Sequence, residues 1–223
     1  MKKIMDKNGK FSSAEFGACS KFGTGSEFGE CSKFGAGTEF GDRSEFGACS
    51  KFGIGSEFGD RSKFGAWSKF GAASEFGAGT EFGDRSEFGV GSKFGSESEF
   101  GAGSEFGSES KFGDYSKFGD RSKFGSESEF GAGSKFGEGS EFGACSKFGI
   151  GCSYRGFAFK KFMSSANIDA SGRQIKIFSN GEIVMIEAGC FWGTAKEFCN
   201  RAKNEGKNIY ANIVGAIAKA IVK

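Results

Sequence analysis

One cysteine of this chain lies in a setting that suits thiol chemistry. Cys190 is the third residue of the string AGCFWG at positions 188–193, and Cys199 follows in the same segment. A cysteine at a helix N-terminus has its thiolate stabilised by the helix dipole and by unpaired N–H groups. The chemistry that this pair predicts is nucleophilic attack by Cys190, with Cys199 as the resolving thiol.

The same string resembles the active-site motif of peptide methionine sulfoxide reductase A, in which a Gly-Cys-Phe-Trp segment follows a strand and opens a helix. The resemblance implies a thiol enzyme with Cys190 as its nucleophile. It covers only this short string, and the later histidine- and tyrosine-containing motifs of the reductase are absent. The reading that we favour is that Cys190, Phe191 and Trp192 fill the turn between a hairpin and a helix.

Basic residues and isolated aromatics suggest two kinds of binding site. Lys160, Lys161 and Arg173 are candidates to meet a phosphate, as in a nucleotide or other small ligand held between protomers; the alternative is a solvated basic surface. Trp67, Tyr115 and Trp192 are candidate partner-binding residues, because exposed aromatics are enriched at interface anchors. The alternative is that they are single surface aromatics without a role.

Composition excludes several functions. The 223 residues include no histidine, and the formal net charge is only +2, so neither a histidine general base nor a basic nucleic-acid groove is expected. No apolar run approaches the roughly 20 residues of a membrane helix, and the basic start lacks an apolar signal-peptide core. We therefore predict a cytosolic, non-enzymatic protein with free thiols, no metal and no cofactor.

A six-residue repeat dominates the chain. Phenylalanine recurs at every sixth residue from Phe16 to Phe148, in 23 hexads of the form Phe-Gly-x-x-Ser-Lys/Glu. Alternation in an extended segment places Phe and Ser on one face and Lys or Glu on the other. We predict that Phe and Ser point inward and Lys/Glu outward. The glycine after each Phe marks a corner where a Cβ would clash or φ is unusual.

The hexad resembles that of the hexapeptide-repeat family, and this implies a parallel β-helix, usually left-handed, with about 18 residues per coil. With Phe in the aliphatic slot, the predicted core is a ladder of stacked rings. On such a coil Cys31 and Cys49 lie one above the other, as two free thiols or as a disulfide. Trp67 and Tyr115 lie eight hexads apart and so on different faces. Family acyltransferases use a histidine and an inserted loop, and this chain has neither.

The sequence after the last hexad is not repetitive. Residues 173–178 and 182–188 are predicted strands joined by a turn at Asn180-Gly181. Thr194 with Glu197 forms a capping box for a helix to about Asn204, and a second, amphipathic helix covers 210–222. The fold class is thus a mainly β protein: an N-terminal cap (1–14), a β-solenoid (15–152), a cap or linker (153–172) and a small ββαα domain (173–223).

Residues 175–218 also resemble a small C-terminal domain of phage and prophage proteins, which often carry Phe-Gly hexads ahead of it. This resemblance implies a phage setting and no particular activity. The function we predict is a rigid solenoid that binds a host or phage protein, as a virion or assembly component or as an inhibitor of a host or defence protein. A homo-oligomer held by the C-terminal helices is a further expectation.

Overall fold

The chain forms two compact units. The computed structural model describes residues 4–5, 11–12, 15–143, 145–166 and 174–222. The first unit is Met1–Gly156 and the second is Phe157–Lys223. Most of the predicted N-terminal cap lies outside the described residues, as does Arg173.

The first unit is a stack of two-residue strands. In chain order the strands are β1 (Ile4–Met5), β2 (Phe11–Ser12), β3 (Glu15–Phe16), β4 (Lys21–Phe22), β5 (Glu27–Phe28), β6 (Lys33–Phe34), β7 (Glu39–Phe40), β8 (Glu45–Phe46), β9 (Lys51–Phe52), β10 (Glu57–Phe58), β11 (Lys63–Phe64), β12 (Lys69–Phe70), β13 (Glu75–Phe76), β14 (Glu81–Phe82), β15 (Glu87–Phe88), β16 (Lys93–Phe94), β17 (Glu99–Phe100), β18 (Glu105–Phe106), β19 (Lys111–Phe112), β20 (Lys117–Phe118), β21 (Lys123–Phe124), β22 (Glu129–Phe130), β23 (Lys135–Phe136), β24 (Glu141–Phe142), β25 (Lys147–Phe148) and β26 (Ser153–Tyr154).

Each coil of the solenoid takes 18 residues, as predicted. Strands three apart in sequence pair in parallel, so that Lys63 aligns with Glu81 and Phe64 with Phe82. Three sheets result, and one of them runs β3-β6-β9 and onward to β24. The turns are bonded between coils as well, since the N–H of Arg85 donates to the carbonyl of Ala102 at 2.9 Å. The left-handed winding of the β-helix stays a prediction.

The phenylalanines form the predicted ladder. Within one sheet, the Phe82 ring stacks on Phe64 at 5.0 Å and on Phe100 at 4.9 Å between ring centroids. Rings from the flanking sheets, Phe76 and Phe88, meet it edge-on at 5.0 and 4.8 Å. The hydrophobic core is therefore continuous along the described repeats and consists almost wholly of phenylalanine.

The serine and glycine positions are explained by close packing. Ser86 is fully buried, and its hydroxyl donates to the carbonyl oxygen of Gly83 at 2.9 Å, a bond that recurs through the repeats. From Gly35 to Gly149, the glycine after each Phe is required by close approach of the coils. At Gly89 an added Cβ would lie 2.6 Å from the Cα of Ala72 in the coil before it.

Two glycines of one turn should respond very differently to alanine. Gly89→Ala is expected to lower the free energy of unfolding by about 3 kcal/mol, because the clash is with backbone that cannot rotate away. Gly91→Ala should cost about 1 kcal/mol, since Gly91 has φ +69° but nothing within 4 Å of an added Cβ. Urea unfolding of both variants gives the comparison. Equal losses would contradict the packing explanation.

Both ends of the solenoid depart from the repeat. At the start, β2 pairs in parallel with β5, and β1 pairs with β2 in antiparallel fashion. At the other end, Tyr154 takes the place of Phe and is fully buried. Its hydroxyl accepts the N–H of Gly139 at 2.9 Å. The solenoid unit thus extends to Gly156, a few residues past the last hexad.

The second unit is a four-stranded antiparallel sheet with two helices. Its elements are β27 (Phe157–Ala158), β28 (Lys161–Ala166), β29 (Gln174–Ser179), β30 (Val184–Ala188), β31 (Phe191–Thr194), α1 (Ala195–Asn204) and α2 (Asn208–Val222), with sheet order β28-β29-β30-β31. The hairpin, the Thr194–Glu197 capping box and both helices are confirmed. The ββαα order is corrected, because β28 and β31 extend the hairpin on both sides.

The two faces of this sheet are buried differently. Ile175, Ile177 and Ile186 on one face pack against the helices, where Phe198 and Val214 complete the core. On the other face Phe178 is fully buried among aromatic rings, with Phe159, Phe162 and Trp192 at 5.1–5.8 Å between ring centroids. The latter face also holds an ion pair in which Lys176 Nζ lies 2.8 Å from Glu187 Oε1, with side chains only 7% and 12% exposed.

Candidate functional site

The corners of the solenoid carry the features that its sequence repeat does not explain. The second residue of each variable doublet has φ between about +55° and +77°, the left-handed region that favours glycine. Many of these positions hold other residues, among them Trp67 (φ +62°), Arg85 (φ +56°) and Tyr115 (φ +59°). A bulky residue in this conformation costs about 1–2 kcal/mol relative to glycine.

Because a coil takes 18 residues, these corner positions line up in three ridges. The Trp67 ridge contains Cys31, Cys49, Trp67, Arg85, Gly103, Arg121 and Gly139. The Tyr115 ridge contains Gly25, Arg43, Arg61, Gly79, Glu97, Tyr115, Gly133 and Gly151. The Ala73 ridge contains Cys19, Gly37, Gly55, Ala73, Gly91, Glu109, Glu127 and Cys145. Successive members of a ridge are about 4.8 Å apart.

The Trp67 ridge has the most developed surface of the three. The guanidinium carbon of Arg85 lies 4.7 Å from the centre of the Trp67 ring, a cation–π contact. The Trp67 side chain stays 48% exposed. A groove of about 820 Å³ runs along the ridge from Trp67 past Arg85 and Arg121 to Gly139. The two glycines of the groove, Gly103 and Gly139, leave room beside the arginine side chains.

The acidic residues of this groove already have partners. Asp84 Oδ1 accepts the N–H of Ala102 at 2.8 Å, and Asp120 Oδ1 accepts the N–H of Glu138 at 2.7 Å. Glu138 lies 3.4 Å from the guanidinium of Arg155. Over the described part of the chain, by contrast, the guanidinium groups of Arg85 and Arg121 have no ion pair. The groove therefore presents an indole and two guanidinium groups as its available contacts.

Tyr115 lies on a different ridge from Trp67, as their spacing predicts. Its side chain is 63% exposed, and its ring lies over Gly133 of the next coil. The structure therefore does not bring the two predicted partner-binding aromatics together. Sequence reasoning missed Arg85 and Arg121, although reading every eighteenth residue from Trp67 would have found both.

Trp192, Lys160 and Lys161, which were also predicted to bind ligands or partners, make packing contacts and hydrogen bonds within the second unit. Trp192 is half-buried in β31 and packs edge-on against Phe178, with 5.8 Å between ring centroids. Lys161 Nζ donates to the carbonyl of Ile221 at 3.0 Å, which caps the last turn of α2. The backbone N–H of Lys160 donates to Ser179, and Arg173 lies outside the described residues. The described contacts do not show Lys160 and Lys161 converging on one ligand.

The thiols are dispersed. Cys190 is exposed in the turn between β30 and β31, and helix α1 begins only at Ala195. The prediction that Cys190 lies at a helix N-terminus is therefore wrong. Cys199 lies in α1, where its Sγ donates to the carbonyl of Ala211 in α2 at 3.3 Å. Cys31 and Cys49 are neighbours on the Trp67 ridge and are both free and exposed. Burial raises the pKa of the Cys152 thiol.

Helix α2 leaves apolar side chains uncovered. Ile209 is 65% exposed, and Ile213 and Val222 are also exposed, while Val214 and Ile221 on another side of the helix are buried. The predicted homo-oligomer held by the C-terminal helices stays a prediction, and these residues are where we would look for it.

No family model, curated protein or solved structure matches this chain. Neither of the described helices has the length and apolar character to cross a bilayer. Over the residues that the structure places, no group of histidine, cysteine or carboxylate side chains is arranged to hold a metal ion.

Proposed function

We propose that this protein is a non-enzymatic binding protein, in which the solenoid is a rigid frame and the Trp67 ridge contacts a partner protein. The observation that carries the proposal is the groove of this ridge, which presents the Trp67 indole and, among the described residues, the Arg85 and Arg121 guanidinium groups without an ion pair, all three on corner positions where glycine would be more stable. A chain that keeps bulky side chains at strained positions gives up stability there, and strained residues cluster at ligand-contacting sites.

The frame suits this role because it holds the ridge in one conformation. The N–H of Trp67 donates to the carbonyl of Asp84 at 2.9 Å, and that of Arg121 donates to Glu138 at 2.7 Å. Each of these corners is thereby hydrogen-bonded to the next coil. Side chains on a preorganised backbone lose less conformational entropy on binding, which favours affinity. Trp and Arg are also the residue types most often found as energetic anchors of protein interfaces.

The biological setting that we propose is that of a phage or prophage protein acting in the host cytosol. The partner is then a host or phage protein, and the solenoid is either a virion or assembly component or an inhibitor. The support for this setting is the sequence resemblance of residues 175–218 to a phage domain.

The test uses glycine as the substituting residue. A Trp67→Gly/Arg85→Gly/Arg121→Gly variant removes the proposed contacts and relieves the backbone strain at the same positions. We expect it to keep or raise the thermal midpoint of the solenoid and to lose the partner. The measurement is an affinity pull-down from the reducing cytosol of a bacterial host, with bound protein identified and quantified by mass spectrometry.

The matched control carries the same substitution on another corner. An Ala73→Gly/Glu109→Gly/Glu127→Gly variant of the Ala73 ridge should retain the partner in the same amount as the unchanged chain. A partner that binds both variants equally would show that the Trp67 ridge is not the contact surface. If the unchanged chain retains no stoichiometric partner, the binding function itself is contradicted.

A further inference from the structure

The second unit has a cleft that the proposed function does not use. It lies between the β30–β31 turn and the loop from α1 to α2, and its volume is about 410 Å³. Its lining includes Cys190, Phe191, Phe198, Arg201, Lys207 and Tyr210. A cleft of this size suits a small organic molecule, because binding pockets for such ligands span about 300–1,000 Å³.

The inner wall of the cleft is apolar. Ile175 is fully buried, and Phe198, Ala202 and Tyr210 are nearly so. The rings of Phe191 and Phe198 meet edge-on with 5.3 Å between centroids. This wall therefore favours an aromatic ring or a branched aliphatic group of similar size, whose transfer from water is driven by the hydrophobic effect.

The mouth of the cleft is cationic. Glu205 accepts hydrogen bonds from Arg201 Nε at 2.8 Å and from Lys207 Nζ at 2.7 Å, one on each carboxylate oxygen. These bonds lower the pKa of Glu205 to about 2, so it stays charged at neutral pH. One carboxylate against two cations leaves a net charge of +1 at the mouth. The Nη groups of Arg201 and further Lys207 ammonium hydrogens lie outside these bonds and can donate to a second anion.

We propose that this cleft binds a small monocarboxylic acid with an aryl or branched alkyl tail. The carboxylate lies on Arg201 and Lys207, and the tail lies against Phe191 and Phe198. Cys190 sits at the rim, where a bound ligand covers its thiol. The site is independent of the Trp67 ridge, so the two proposals stand or fall separately.

The first test compares three probes with the same phenyl ring and chain length on the unchanged full-length protein. Phenylbutyrate, phenylbutanol and phenylbutylamine share a phenyl ring and a four-carbon chain and differ in the head group, which is a carboxylate, a hydroxyl or an ammonium, and isothermal titration calorimetry measures their binding. We expect phenylbutyrate to bind at least about tenfold more tightly than the alcohol, because a charged acceptor gains charge-assisted hydrogen bonds. The amine should bind more weakly still. Equal affinities for the three probes, or no binding of phenylbutyrate up to its solubility limit, would overturn the proposal.

The second test locates the ligand without any substitution. Iodoacetamide alkylates exposed thiols, and peptide mass spectrometry follows each cysteine separately. Saturating phenylbutyrate should slow alkylation of Cys190 and leave the rate at Cys31, on the solenoid, unchanged. Binding by calorimetry with no change at Cys190 would place the ligand elsewhere and refute the assigned site.

A charge variant with a matched control completes the test. Lys207→Gln should weaken phenylbutyrate binding about tenfold and leave phenylbutanol unaffected. Lys203→Gln, which removes an exposed lysine of α1 that does not line the cleft, should change neither affinity. Equal effects of the two variants on phenylbutyrate would indicate only a general dependence on net charge and would contradict the proposed carboxylate contact.

Discussion

Replacing Phe82 by alanine is expected to lower the free energy of unfolding by about 3–5 kcal/mol. The ring is 5% exposed and lies between two stacked rings, with edge contacts from both flanking sheets. Its removal leaves a cavity in the middle of a continuous ladder, and the neighbouring rings cannot close it because each is held by its own coil. Urea unfolding followed by far-UV circular dichroism measures the change.

Two variants give this prediction its controls. Phe148→Ala removes the same side chain from the last hexad strand, β25, where the ring is part exposed, and should cost clearly less. Phe82→Leu keeps most of the volume and should cost less than about 1.5 kcal/mol. If Phe82→Ala costs no more than Phe148→Ala, stability is not set by packing of the central ladder.

Glu187→Gln is the second substitution from which we expect a large effect, again about 3–5 kcal/mol. It removes one member of the Lys176–Glu187 ion pair and takes a negative charge from beside the Lys176 ammonium in a nearly closed site. The loss of stability should be confined to the second unit. Trp192 packs on Phe178 on the same face of the sheet, so its fluorescence in a Trp67→Gly background reports unfolding of that unit.

An exposed ion pair and an apolar replacement serve as comparisons. Glu87→Gln breaks the exposed Lys69–Glu87 pair on the solenoid, 2.7 Å in length, and should cost less than about 1 kcal/mol. Lys176→Met/Glu187→Leu removes both buried charges and should recover most of the stability lost in Glu187→Gln. Similar losses in Glu187→Gln and Glu87→Gln would show that burial of the Lys176 charge is not what matters.

Much of the solenoid is predictable from sequence because one local pattern is repeated without interruption. Phe at every sixth position implies that Phe and Ser share the inner face, and the resemblance to the hexapeptide family implies the 18-residue coil. In the second unit, the Asn180-Gly181 turn and the Thr194–Glu197 capping box are local signals. Each involves residues within a few positions of one another, and each is confirmed.

The features that sequence reasoning missed depend on pairing and packing that local residue preferences do not indicate. Phe191 and Trp192 were expected to fill a turn, yet the pairing of Phe191–Thr194 with β30 makes this segment a strand, β31. The alternation Ile175-Lys176-Ile177 is typical of a strand with one solvated face. Here the second face also holds Phe178, whose ring contacts Phe159 and Trp192, and Lys176 is buried on it. Trp67 and Arg85 have a left-handed backbone conformation that such residues rarely adopt. The geometry of the coil requires this conformation at their positions.

The 18-residue coil also constrains how this protein can change in length. Gain or loss of one hexad would preserve the Phe pattern, but every later corner would shift to the next ridge. Trp67 and Arg121 would then no longer share a groove if the change fell between them. Gain or loss of three hexads would keep all ridges in phase and alter only their separation, by about 4.8 Å. Insertions and deletions of whole coils are thus the changes this gene can accept while keeping the arrangement of its surface.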